Sequence, residues 1–273
     1  MSKSLILFAT LFIIASSCTS ENKKERTEEM NFNSKEVIID EEKEPLSPPE
    51  VPISENWLIY EGVIGDYYQH VVLALTMREE NTVAGTYYYD KHQKMLDLNG
   101  TYNSETGVYD LKESYKGKVT GYLTFKNING NLSGKWKAKK SSIEMQQLEL
   151  KLLSKKMGTI PTVEFSKYKN EHTVFMYTPE GEEEYDVIDR LKIAKIDVDH
   201  YSFSYNVTGP NGHMGSADGI IKMDNQTTGH FYGEDNCDLE FKFSKNKVEI
   251  IEHDCQYYHG ARAYLDNELT LEK

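Results

Sequence analysis

From residue 56 onward the chain alternates. Apolar side chains fall at every second position through Val71-Leu73-Leu75-Met77, through Val83-Gly85-Tyr87-Tyr89 and, farther on, through Tyr201-Phe203-Tyr205-Val207. A period of two puts such residues on one face of an extended strand. Polar breakers separate the runs at Glu79-Glu80-Asn81, Asp90-Lys91-His92-Gln93, Asn103-Ser104-Glu105-Thr106-Gly107 and Asn127-Ile128-Asn129-Gly130. Short strands at regular spacing with breakers between them predict a meander, barrel or sandwich. Gly158 to Pro161 interrupts the pattern, so the expected fold class is all-β, with two small antiparallel β domains over residues 56–157 and 162–273.

Within the first domain one form recurs: apolar, any, Gly, any, apolar. It appears at Val83-Gly85-Tyr87, Leu98-Gly100-Tyr102, Val119-Gly121-Leu123 and Leu132-Gly134-Trp136. Glycine inside a strand marks a bend, a bulge or the close approach of another backbone. Repeated in neighbouring strands, it lets a sheet curl while nearby rings cover the bare positions. Tyr87, Tyr102 and Trp136 are therefore read as core filling of a small barrel; the alternative is that they line a ligand-binding concavity. Residues 142–154 read as a closing strand with a bulge near Gln146-Gln147, or as a helix, given their Glu, Gln, Met, Leu and Lys content.

The second domain contains turns at Thr178-Pro179-Glu180-Gly181 and Gly209-Pro210-Asn211-Gly212. Its last third is the clearest hairpin in the chain. Leu239, Phe241 and Phe243 alternate, a turn follows, and Val248 and Ile250 alternate after it. Pairing Phe243 with Val248 leaves Cys237 opposite Asp254, one residue short of Cys255, so a disulfide between Cys237 and Cys255 requires a bulge near residues 252–254.

Before residue 56 the pattern is different. Lys3 precedes an apolar run, Leu5 to Ala15, broken only by Thr10, and Ala15-Ser16-Ser17 leads into Cys18. A positive start, a short apolar run and small residues describe a secretory signal peptide over residues 1–17. Ser16-Ser17-Cys18 resembles the lipobox of bacterial lipoproteins, although Ala15 stands where that family more often has Leu. The resemblance implies that Cys18 becomes the acylated first residue of the mature protein and anchors it to the membrane of the cell envelope. Residues 18–55 read as a tether, dense in charge of both signs and closed by Pro45, Pro48, Pro49 and Pro52, with too little apolar surface to order itself. The Gly-patterned domain is similar to uncharacterised β domains of exported bacterial lipoproteins. Export also implies an oxidising compartment, in which Cys237 and Cys255 pair.

The formal net charge of −13 opposes nucleic-acid binding, which needs phosphate neutralisation by Lys and Arg. It also disfavours adhesion to anionic headgroups; it either simply keeps the protein soluble or steers a basic protein partner toward it. Candidate chemistry is sparse. No zinc spacing, phosphate loop or dinucleotide fingerprint is present, no Gly-x-Ser-x-Gly elbow accompanies the histidines, and Asp197-Val198-Asp199 and Gly233-Glu234-Asp235-Asn236 read as polar turns. Glu182-Glu183-Glu184 reads as a solvated turn face. No cofactor or metal is implied. The segment from Cys237 to Leu271, with its cysteine-flanked hairpin and His259-Gly260, resembles a small module of exported bacterial proteins, some of them lysozyme-inhibitor-like. That resemblance implies a binding module, with Tyr257, Tyr258, His259 and Arg262 as its candidate face. The alternatives are an envelope glycan hydrolase, resting on the abundant carboxylates, and a structural envelope component with no ligand.

Overall fold

The structure is a computed structural model that describes residues 55–65, 69–140, 145–159 and 162–273. The expected leader over residues 1–17, Cys18 and the expected tether up to residue 54 lie outside the described residues. Eight strands form the first sheet: β1 (Glu55–Ile64), β2 (Gln69–Met77), β3 (Thr82–Tyr89), β4 (Leu96–Asn103), β5 (Val108–Tyr115), β6 (Lys118–Ile128), β7 (Asn131–Ala138) and β8 (Gln146–Gly158). Eight more form the second: β9 (Glu164–Thr178), β10 (Gly181–Lys195), β11 (His200–Thr208), β12 (Met214–Met223), β13 (Thr228–Tyr232), β14 (Asp238–Phe243), β15 (Lys247–His253) and β16 (Asn267–Leu271). Within each sheet every strand pairs antiparallel with its chain neighbours, and the ends meet: β1 closes on β8, and β16 closes on β9. The two all-β domains are therefore closed barrels. Both lie within one compact unit, Glu50–Lys273.

Each barrel has its own interior. Tyr60, Leu73, Leu75, Tyr87, Leu98, Leu123, Phe125 and Leu132 fill the first, with Tyr102 and Trp136 packed against them. The recurring aromatics thus fill the core. Gly100 and Gly134 permit the curl: a Cβ at Gly100 would collide with the Asp110 carbonyl, and one at Gly134 with the backbone of Thr124 and Phe125. Only glycine lets strands approach that closely. Phe203, Tyr205, Ile221, Leu239, Phe241, Val248 and Ile250 form the second interior.

A third apolar cluster joins the barrels. Trp57, Ile59, Val72, Ala74 and Tyr88, on the outer face of β1–β3, pack with Ala194 and Ile196. Phe165 meets Tyr88 edge-on, with ring centroids 5.2 Å apart. Strand β2 is consequently buried on both faces from His70 to Thr76. This explains why residues 71–75 are continuously apolar rather than alternating.

Of the two expected bulges, one lies elsewhere and the other is a backbone step at the end of its ladder rather than a slip within it. β8 is a strand, but its pairing with β7 runs unbroken through Gln147 and Gln146. Its register slips instead against β1, where Ile59 faces Ser154 and Tyr60 faces Leu152. Met145, whose phase prompted the expectation, precedes the strand and is exposed. In the C-terminal hairpin Phe243 faces Val248 and Phe241 faces Ile250, and the ladder continues without a slip to Asp238 opposite His253. The offset is absorbed just past the ladder by Asp254, whose φ of 55° is left-handed. Short polar side chains tolerate that region. The step swings Cys255 onto Cys237 in a disulfide with a Cα separation of 4.3 Å. Glu182, Glu183 and Glu184 do not form a turn; they are exposed residues at the start of β10.

Candidate functional site

The strongest concentration of buried polar groups lies at the joint between the barrels. Asp90, just past β3, accepts from both sides: His70 Nδ1 is 2.5 Å from Oδ2, and Ser202 Oγ donates to Oδ1 at 2.6 Å. Glu61 on β1 lies 3.1 Å from His70 Nε2. Tyr88 OH and Ser202 Oγ are 2.9 Å apart, so the chain of bonds crosses from β3 of one barrel to β11 of the other. His70, Asp90, Tyr88 and Ser202 are all buried. Burial alone would push the imidazole down. The charge of Asp90 and the hydrogen bonds to Asp90 and Glu61 outweigh it and hold the group up at about 10. His70 is thus an imidazolium with both nitrogens donating to carboxylates.

This arrangement contains a serine, a histidine and an acid in the wrong order for acyl transfer. A nucleophilic serine needs the histidine as its base, with the acid behind it. Here Asp90 stands in the middle, Ser202 bonds Asp90 and Tyr88, and His70 has no free basic nitrogen. The cluster binds the barrels together. His70 and Asp90 themselves line a polar cleft of about 320 Å³, together with Gln69, Lys91, Ser204 and Asp218.

Each barrel also holds a buried carboxylate that is fully engaged. Glu113 accepts from Tyr87 OH, from Thr120 Oγ1 and from Trp136 Nε1, the last at 2.6 Å. Burial first, then the neighbouring Tyr89 and Glu113, push the Tyr87 phenol far up. Asp189 accepts from His172 Nε2 at 2.9 Å, from the Thr208 amide at 2.8 Å and from Asn267 Nδ2 at 2.8 Å. Asp197 caps its own turn by accepting from the Asp199 and His200 amides and lies 3.4 Å from Lys156 Nζ. Among the described residues no group of three or more His, Cys, Asp and Glu is placed to hold a metal ion.

The four residues expected to share a binding face do not share one. Tyr257 is exposed, but Tyr258 turns inward against Phe231 and accepts the Glu234 amide. The His259 ring is buried, with Nε2 3.3 Å from Glu252. Arg262 lines a different cleft of about 430 Å³, together with Asp189, Thr208 and Asn267.

A surface that the sequence reading missed is the β9–β10 hairpin. These two strands pair with each other over their whole length, from Glu164 opposite Lys195 to Thr178 opposite Gly181. In the ladder the rest of the barrel pairs only with their base, β11 with Arg190–Lys195 and β16 with Tyr168 and Lys169, while hydrogen bonds with the Asn267 side chain and the Thr208 amide reach Asn170 and Asp189 beyond it. Residues 170–189 therefore extend as a two-stranded ribbon beyond the ladder. Near its tip the Tyr177 amide donates to Asn211 Oδ1, which props the ribbon on the turn at residues 210–212. Phe175, Tyr177, Tyr185 and Ile188 are exposed on it, Tyr177 to 66%. They sit among Glu180, Glu182, Glu183, Glu184 and Asp186. The second barrel is the acidic one: residues 162–273 hold twenty-two Asp and Glu against eleven Lys and Arg, whereas residues 55–158 hold twelve against fourteen. The signal for the ribbon was present in the glutamate run beside aromatics, but pairing length is invisible in alternation. No protein-family model matches the chain, and no curated protein matches it at a significant level.

Proposed function

We propose that the chain is a non-enzymatic binding protein of the cell envelope, held by lipid on Cys18, and that the β9–β10 ribbon takes a basic protein partner. The observation that carries this reading is the ribbon itself, where exposed rings lie in a field of carboxylates on two strands with unpaired edges. Aromatic residues dominate binding energy at interfaces, and complementary charge accelerates encounter. The engagement of Asp90, Glu113 and Asp189 supports a binding role over a glycan hydrolase, which needs two available carboxyl groups flanking a bond. A lysozyme, as a purified basic protein, is the first probe. Titration should give salt-sensitive binding that weakens at least about tenfold in Phe175→Ser/Tyr177→Ser/Tyr185→Ser, the scale of losing hot-spot rings. Binding unchanged in that variant would remove the ribbon from the reading, and no binding to lysozyme or other basic proteins would remove the basic partner. Mass spectrometry of the mature N-terminus tests the anchor separately: an unmodified terminus beyond Cys18 would overturn it.

A further inference from the structure

We propose a second interaction surface: the outer face of β5–β7 docks on the anionic surface of a phospholipid bilayer. The net charge of the chain conceals this face. Between residues 112 and 156 there are eleven lysines and three glutamates. The strand register gathers several of those lysines into rows. Tyr122 lies between Lys112 and Lys137 in the first row. Asp110, Thr124, Lys135 and Gln147 form the second, and Val108, Lys126, Ser133 and Glu149 the third. Residues directly opposite across antiparallel strands share a face. The two acids of these rows are occupied, Asp110 by Thr124 and Glu149 by Ser133, through hydrogen bonds of 2.8 and 2.7 Å. Lys126, Lys135 and Lys137 make no ion pair with a described residue and rim an apolar groove of about 550 Å³. Tyr122 and Met145, both exposed, lie along it.

A ring of lysines around an exposed tyrosine and methionine fits a membrane interface. Lysine is drawn to anionic lipid, and a tyrosine ring settles at headgroup level. Position within the fold agrees. The barrels meet through β1–β3, so β5–β7 lie across the first barrel from the contact, and the acidic second barrel is held away from the bilayer. Docking there leaves the β9–β10 ribbon free, and it requires no acylation.

The test uses residues 50–273, which form one compact unit with both closed barrels and lack leader and anchor. The protein is co-sedimented with vesicles of phosphatidylcholine alone or with about a third phosphatidylglycerol, at low and high salt. It should bind only the anionic vesicles and be released by salt. In Lys126→Gln/Lys135→Gln/Lys137→Gln, affinity should fall by roughly 100-fold. Lys222→Gln/Lys245→Gln/Lys273→Gln on the second barrel should bind as the unsubstituted protein does. Equal binding to neutral vesicles, no binding at low salt, or an unaffected first variant would overturn the proposal. Binding to a soluble anionic polysaccharide without any to anionic vesicles would also overturn it and assign the face to a polyanion.

Discussion

His70 holds a proton between Asp90 and Glu61, and that proton ties stability to pH. In the unfolded chain the imidazole titrates near 6.5; in the folded chain it is held up at about 10. A raised histidine contributes stability that is complete below the unfolded value and is lost as pH rises through the folded one. Urea midpoints should therefore decline from pH 6.5 through pH 10, and His70→Gln should flatten that decline. A variant as steep as the parent would place the dependence elsewhere. His70→Ala leaves Asp90 buried without its cation, and denaturant titration should show a loss of about 3 to 5 kcal/mol. None of this was legible in the sequence. Asp90 is twenty residues from His70 and one hundred and twelve from Ser202. Local spacing cannot reveal partners brought together by two separate barrels. The only trace was the unbroken Val71-Val72-Leu73-Ala74-Leu75, which marks a strand buried on both faces beside them.

The strands themselves were legible because one face of each is buried, and burial imposes alternation. The β14–β15 register followed from Leu239, Phe241, Phe243, Val248 and Ile250, since a slip by one residue would turn all five out of the core. The left-handed Asp254 was not legible as such; the mismatch it resolves was. Cross-linking Cys237 to Cys255, eighteen residues apart, removes loop freedom from the unfolded chain. Replacing both cysteines by alanine should cost about 3 kcal/mol in urea titrations, plus the cost of whatever space the alanines leave unfilled. A reductant should then have no further effect on that variant. The ribbon escaped the sequence reading for a related reason. Alternation in β9 and β10 reports a two-faced strand, and it reads the same whether a neighbouring strand or solvent lies beyond the edge.

At the scale of the molecule, the apolar cluster of Trp57, Ile59, Val72, Ala74, Tyr88, Ala194 and Ile196 and the bonds through Ser202 cross the joint together. Further bonds run from the Gln93 amide to the carbonyls of Ser166 and Ile193, and from Lys156 to that of Ile196. Neither barrel can open without exposing part of this shared surface. Calorimetry should accordingly show one transition, with calorimetric and van't Hoff enthalpies equal. Two resolved transitions would mean that each barrel melts alone. The opposite charges of the barrels could not be read from the chain total, which sums them. One consequence is mechanical. A pull on the N-terminus enters at β1, which is zipped to β2 from Trp57 to Ile64 and to β8 from Glu55 to Ile64. Tension along β1 loads both ladders in shear, so many bonds must fail at once. The far end is built otherwise: β16 is held by Lys247–Ile250 on one side and by only Tyr168 and Lys169 on the other. A chain tugged from its N-terminus would resist as a bolt does, while one tugged from its C-terminus would peel.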